Sequence, residues 1–363
     1  MASIRNAHGQ RRIVWGALLM VALVAVVVAG LRTGLLALPF GNPSISSPHV
    51  LTCTGDDCAL GQGVRGVQLF VEPRDGATPI TNAILGATRS VCVEVYLRTD
   101  SRVMDALAED AQRGVDVRVL LEAHPFGGDV ASPQRTIDTL ALSGIQAKFA
   151  NPAYTYTHAK MLIIDNATLY VLTANLSRSG LGGSSLARNR EFGVVDTHTD
   201  DVAEALAIFQ ADWNRTRPAL HDGNMVVSPF NARAKIMALL ALARTSLVIE
   251  DEEMYDPAAE TALIAAAHRG VRVRLVLPDP SMIAASDAAR LKSGGVRVEY
   301  VSAPYIHAKV IVADGRLAFV GSENFSPTSL DQNREVGLLL ADTSALATIA
   351  ATFERDWVVG QPA

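Results

Sequence analysis

His158-Ala159-Lys160-Met161-Leu162-Ile163-Ile164-Asp165 recurs as His307-Ala308-Lys309-Val310-Ile311-Val312-Ala313-Asp314. In both copies Asp lies seven residues after His, and an Asn lies seventeen after it, Asn175 and Asn324. One His-x-Lys tripeptide means little in a long chain, where a His–Lys pair at a strand end is ordinarily a solvated surface feature. Four positions repeated at one spacing are different: at roughly one in twenty per residue type, chance gives odds of about 10⁻⁵. The chain carries one site twice.

The apolar runs Met161–Ile164 and Val310–Ala313 read as buried strands. Alternation along a strand puts His and Lys, two apart, on one side. A polar turn at Asp165-Asn166 or Asp314-Gly315 then precedes a returning strand, Leu169–Leu172 or Leu317–Val320. Such a hairpin brings Asn175 and Asn324 back beside the His–Lys end. It leaves Asp165 and Asp314 at the far turn, in a structural role.

The surrounding chain repeats as well. Alternating strands at Ser90–Tyr96 and Ser246–Glu250 each lead into a helical stretch ending at Arg-Gly, Arg113-Gly114 and Arg269-Gly270, where glycine is the expected stop. Strands follow at Val115–Leu121 and Val271–Leu277, then a second helix, a Ser-Gly turn and the motif. Each half closes on a helix with Phe and Trp four apart, Phe209/Trp213 and Phe353/Trp357, which reads as core. Strand–helix alternation built twice predicts an α/β fold of two pseudo-symmetric halves, 65–222 and 223–360, each a β-sheet flanked by helices. Packed about a pseudo-twofold axis, the halves would bring both motifs into one cleft within one chain.

The chain has 363 residues, 49% of them hydrophobic and 19% charged, enough for two sizeable cores. Of the formal net charge of −5, the first twelve residues contribute three arginines and no acid, leaving −8 on the rest. An acidic body argues against non-specific binding of nucleic acid. Residues 13–31 are apolar and uncharged, long enough to span a bilayer. Arg11 and Arg12 before them keep residues 1–12 cytoplasmic and the body outside. We read this as a single-pass anchor, because the run is longer than a secretory core and no clean cleavage site follows. A signal peptide cut after Val28-Ala29-Gly30, giving a secreted protein, is the alternative. Residues 32–64, rich in Pro, Gly and Ser, read as a linker. In an oxidising compartment Cys53 and Cys58 would close a short disulfide loop, while Cys92 reads as a small buried residue.

Two His, two Lys and two Asn in one pocket suit phosphorus chemistry. Lysines supply positive charge and asparagines neutral donors, one His attacks in line, and the other protonates the leaving oxygen. A carboxylate would hold each imidazole in its tautomer. Glu191, 33 residues beyond His158, and Glu335, 28 beyond His307, stand in matching Asn-Arg-Glu contexts, Asn189-Arg190-Glu191 and Asn333-Arg334-Glu335. The difference of five falls in a Gly/Ser-rich loop, Ser177–Ser185, that could rim the cleft. Thr173 and Ser322, two residues before each Asn, offer phosphate-binding hydroxyls. Nothing here requires a metal or other cofactor.

These residues resemble the HxKxxxxD motif of the phospholipase D superfamily and its downstream G-S-x-N element. The second copy has Gly321-Ser322-Glu323-Asn324 intact, whereas Leu172-Thr173-Ala174-Asn175 keeps the hydroxyl and Asn without the Gly. The resemblance covers about residues 65–360 and implies a phosphohistidine intermediate, with His158 as nucleophile and His307 as acid by family habit. It also implies Lys160, Lys309, Asn175 and Asn324 around the phosphate. The superfamily includes phospholipases D, phosphatidyltransferases such as cardiolipin synthases, and nucleases. An exported domain held at a bilayer meets phospholipid, so phospholipase D action with water or alcohol as acceptor comes first. Cardiolipin-synthase-like transfer is second and an extracytoplasmic nuclease third. A membrane-tethered scaffold with a fossil site would have lost a His or Lys; none is lost.

Other residues carry weaker signals. Tyr154, Tyr156 and Tyr305 precede the motifs and read as rim packing or a head-group groove. Glu94 and Glu250, at corresponding strand ends, face the cleft or pair with buried arginines. His124 reads as a solvated loop residue, and His268 as a cation at a helix C-terminus.

Overall fold

The computed structural model describes residues 58–96, 100–126, 132–183, 188–280 and 288–362. The expected tail, the anchor, Cys53 and the linker up to residue 57 lie outside them. Among the described residues no helix is long and apolar enough to cross a membrane.

The first sheet is built from β1 (Gln68–Glu72), β2 (Ser90–Val95), β3 (Asp116–Leu121), β4 (Gln146–Phe149), β5 (Lys160–Ile164), β6 (Thr168–Leu172) and β7 (Asn189–Asp196). The second contains β8 (Met225–Ser228), β9 (Ser246–Asp251), β10 (Arg272–Pro278) and β11 (Arg297–Val301). After the short β12 (Tyr305–Ile306), it continues with β13 (Lys309–Ala313), β14 (Leu317–Gly321), β15 (Glu335–Leu340) and β16 (Gln361–Pro362). The strand orders are β1-β7-β6-β5-β2-β3-β4 and β8-β15-β14-β13-β9-β10-β11-β16. Apart from the terminal β16 they are one order used twice, so the duplication in sequence is a duplication of topology. Helices start alike too. Asp100 caps the helix Ser101–Gln112 and Asp256 caps Pro257–His268, each through its carboxylate.

Each sheet is apolar on both faces, which is why its central strands read as unbroken hydrophobic runs. Outer helices cover one face of each sheet, with Ile80, Val103 and Leu140 on the first and Ile236, Leu263 and Leu291 on the second. The inner faces share a single core. It joins Met161 and Ile163 of β5, Val310 and Val312 of β13, and Ile208, Phe209, Ile349 and Phe353 of the two closing helices. The stacked pairs Phe209–Trp213 and Phe353–Trp357 belong to this core region, as their spacing implies.

One boundary is corrected. The linker does not run free to residue 64: Gly61 N donates to Gly223 O, and Val64, buried, bridges Leu340. Gly63 has φ +80, and a Cβ there would collide with Ala341 and Leu317, so this Gly-rich stretch is the part that can lie flat on the second half. Cys58 is disulfide-bonded and Cys92 is buried and free.

Candidate active site

Both motif hairpins form. Asp165 and Asn166 have φ of 55° and 53°, and Asp314 and Gly315 of 53° and 64°, a left-handed pair at the start of each three-residue connection between Ile164 and Thr168 or Ala313 and Leu317. Each Asp carboxylate then caps the start of a neighbouring strand. Asp165 accepts from the backbone N–H of Thr88, Arg89 and Ser90; Asp314 accepts from those of Arg244, Thr245 and Ser246. Burial raises both carboxyls, but these donors outweigh it and hold each at about 2.

The halves exchange backbone just ahead of each His. β12 runs parallel to β7, with Tyr305 opposite Asn189 and Ile306 opposite Arg190, and Thr157 bridges Arg334 in the reciprocal place. His158 N donates to Arg334 O at 2.8 Å, and His307 N to Arg190 O at 3.3 Å. Each Asn-Arg-Glu strand end therefore lies beside the histidine of the other half.

That placement corrects the expected carboxylate pairing. His158 Nδ1 lies 2.8 Å from Glu335 Oε2, and His307 Nδ1 lies 2.8 Å from Glu191 Oε1. Each glutamate serves the opposite copy, so the unequal offsets of 33 and 28 residues are irrelevant to the contact. Both glutamates are fully buried and held by their own strand: Asn333 Nδ2 donates to Glu335 at 2.9 Å and Asn189 Nδ2 to Glu191 at 3.0 Å. Ser329 adds a hydroxyl to Glu335. Burial opposes ionisation of Glu335, but His158 and Lys160 prevail and hold its pKa below the usual carboxylate range.

The hydroxyls are corrected as well. Thr173 Oγ1 donates to Glu191 Oε2 at 2.6 Å and accepts from Phe192 N, while Ser322 Oγ accepts from Val336 N. Both are completely buried, and their hydroxyls bond the glutamate strands. Gly321 faces Gly337 across β14 and β15, because a Cβ at either would strike Phe319 and Glu323. In the first copy Leu172 faces Gly193 in the same register and Phe70 fills the space, so losing the motif glycine does not shift the strand. Asn175 and Asn324 follow in equivalent places, each with a buried amide oxygen that meets no donor among the described residues.

Lys160 and Lys309 are fully buried, and each donates to its own histidine's carbonyl, at 2.7 and 2.6 Å. Beyond that the copies differ. Glu252 Oε2 lies 2.8 Å from Lys309 Nζ and 3.3 Å from His307 Nε2, and Glu252 Oε1 accepts from Tyr305 at 2.9 Å. In the first copy Tyr96 occupies the matching place, with its ring 4.7 Å from the His158 ring. Lys160, lacking a carboxylate bond, is pushed by burial down to about 7, whereas Glu252 and Glu191 overcome burial and raise Lys309. Burial, with Lys160 and Lys309 nearby, lowers His158 despite Glu335. Glu252 was not among the expected residues. Aligning the copies from Glu94 and Glu250 would have exposed it, since the residue two beyond is Tyr96 in one and Glu252 in the other.

Glu94 and Glu250 are buried beside interdomain ion pairs and not in the cleft. Arg334 pairs with Asp212 of the opposite half through Nε at 2.7 Å, and Arg190 with Asp356 through Nε at 2.5 Å. Glu94 neighbours Asp212, and Glu250 neighbours Asp356. Tyr154 packs on the Arg334 guanidinium and Tyr156 on Tyr96, so neither stands free as a groove wall. His124 and His268 are exposed.

A family model described as "Cardiolipin synthase, PLD-like domain" matches residues 80–213 and 236–357, most of the chain and both copies of the site. The chain belongs to the phospholipase D superfamily. Superfamily relatives include a probable cardiolipin synthase of Bacillus subtilis, 28% identical over 322 residues, which cover 76% of this chain and 63% of that protein. Cardiolipin synthase A of Pseudomonas syringae is 26% identical over 337 residues, 80% of this chain and 68% of its own. The chain thus spans slightly less than two thirds of the Bacillus relative. Among solved structures, phosphatidylserine synthase of Haemophilus influenzae has the same fold, with a TM-score of 0.62 at 14% identity over 82% of this chain and 87% of that one.

Proposed function

We propose that the protein is a phosphatidyltransferase of cardiolipin-synthase type, moving a phosphatidyl group from one phospholipid to the hydroxyl of an alcohol. The relatives' names support transfer over hydrolysis, and the inequality of the two histidines assigns their roles. His158 is oriented by Glu335, its imidazole is shifted toward the neutral form, and among the described residues no side chain bonds its Nε2. His307 has a carboxylate at each ring nitrogen, Glu191 at Nδ1 and Glu252 at Nε2. His158 Nε2 bonds phosphorus as the P–O bond to the leaving alcohol breaks, and that oxygen takes the proton from His307 Nε2. In the second step the acceptor oxygen bonds phosphorus, the P–N bond breaks, and His307 recovers a proton from the acceptor. Lys160, Lys309, Asn175 and Asn324 hold the phosphoryl oxygens.

The sequence alone put hydrolysis ahead of transfer. The names of the relatives support the reverse order, since the same intermediate meets an alcohol in place of water. Residues 13–31 would hold the catalytic body against the outer face of the bilayer, with residues 1–12 inside.

The test uses the full-length protein in mixed phospholipid vesicles with a primary alcohol and EDTA. Wild type should form a phosphatidyl-alcohol by mass spectrometry, and His158→Ala should lose it by about 10⁴-fold or more. His307→Ala should lose about 10²–10⁴-fold, yet still form an acid-labile phosphoprotein from a lipid donor with a nitrophenol leaving group, which needs no proton. Equal loss of that phosphoprotein in both variants would reject the assigned roles.

A further inference from the structure

We infer that Glu252 is the residue that selects the acceptor, by accepting a hydrogen bond from a second hydroxyl on the attacking alcohol. The inference rests on the transfer reading above. Its starting point is a departure from pseudo-symmetry in the site: Tyr96 at the first copy, Glu252 at the second.

A carboxylate beside a phosphodiester needs a reason, because it repels the anionic substrate. Glu252 Oε2 stands 3.3 Å from His307 Nε2, the atom that must meet the oxygen leaving or entering phosphorus. Its side chain is only 16% exposed, yet it stays ionised: His307 and then Lys309 outweigh the burial and hold it well below the usual carboxylate range. The site is therefore polarised. The anion is favoured on the side of His158 and Lys160, where among the described residues no carboxylate meets Nε2 or Nζ. The neutral alcohol is favoured on the side of His307.

An acceptor hydroxyl placed on His307 Nε2 displaces Glu252 from that nitrogen. The carboxylate is still held by Lys309 at Oε2 and Tyr305 at Oε1. With about four acceptor positions on an ionised carboxylate, it has room for one more donor. A hydroxyl on the next carbon of a polyol reaches it. Water and a monohydric alcohol, with a single oxygen, cannot occupy both places.

The experiment offers full-length protein in phosphatidylcholine vesicles equal concentrations of glycerol and 1-propanol, and reads phosphatidylglycerol against phosphatidylpropanol. Both products form from one intermediate, so their ratio does not depend on how much of a variant folds or on its overall rate. Wild type should favour glycerol. Glu252→Ala should lower the ratio about tenfold, or about 1.4 kcal/mol, and Glu252→Gln by a smaller factor, with more phosphatidic acid from both. A wild-type ratio near one, or an unchanged ratio in Glu252→Ala, overturns the inference while leaving transfer intact. No phosphatidyl-alcohol from wild type with either acceptor would instead overturn the transfer reading, and this inference with it.

Discussion

The two lysines of the site share a motif position and differ in state, because only one has a carboxylate. Lys160 sits at about 7, so it is charged below neutrality and loses its proton just above it. His158 is lowered below the usual imidazole range by burial, so the window in which it is neutral while Lys160 is charged widens. A phosphodiester needs the charged lysine and the free imidazole together. The expected kcat/KM profile is therefore a bell, with an acid limb below the usual imidazole range and an alkaline limb near 7. Lys160→Arg tests the assignment. Arginine stays protonated throughout, so the alkaline limb should move up by a pH unit or more even if the maximum rate drops. A limb that stays near 7 would belong to another group.

At the scale of elements, the hairpins were legible and the strand exchange was not. Apolar runs, a turn sequence and fixed offsets specify a hairpin within about twenty residues, so the return of Asn175 and Asn324 and the structural place of Asp165 and Asp314 could be read directly. The pairing of Glu191 with His307 depends on β7 meeting β12 across the duplication. No local pattern encodes that partner, and offsets within one copy point to the wrong histidine. The same limit applied to Thr173 and Ser322, whose hydroxyls suit phosphate by type but are buried against the neighbouring strand. The turn makes its own prediction. Asp314→Ala removes a charged acceptor from three backbone donors, and should cost about 2 kcal/mol in urea unfolding. Its carboxyl is held at about 2 in the fold, below its value of 3.8 in a free chain. Its contribution is therefore complete above about pH 4 and lost as pH falls through 2. The gap between wild type and variant should close over that window; a gap independent of pH would mean that the charge does not matter.

Across the whole molecule, the two halves are locked by a pair of exchanged buried charges as well as by the shared core. Arg334 reaches Asp212 through two nitrogens and also donates to Ser228 O of its own half; Arg190 does the same with Asp356 and Glu72 O. Burial, reinforced by Asp212, pushes the Glu94 carboxyl well up, and Glu250 responds likewise beside Asp356. The Arg and the Glu that bonds the opposite histidine are adjacent residues and point to opposite sides of the chain. The contact that locks the halves therefore lies one residue from the carboxylate that meets the opposite histidine. Buried pairs cost desolvation, and their net worth is small when both partners go together. Arg334→Met alone leaves Asp212 uncompensated and should cost about 3–5 kcal/mol. Arg334→Met with Asp212→Leu should recover most of that stability. Activity should not return with it if the lock also positions Glu335, because the double variant regains packing without the geometry. Urea unfolding and phosphatidyl transfer measured on the same three proteins separate the two effects. Recovery of both in the double variant would make the exchanged pairs a matter of stability alone.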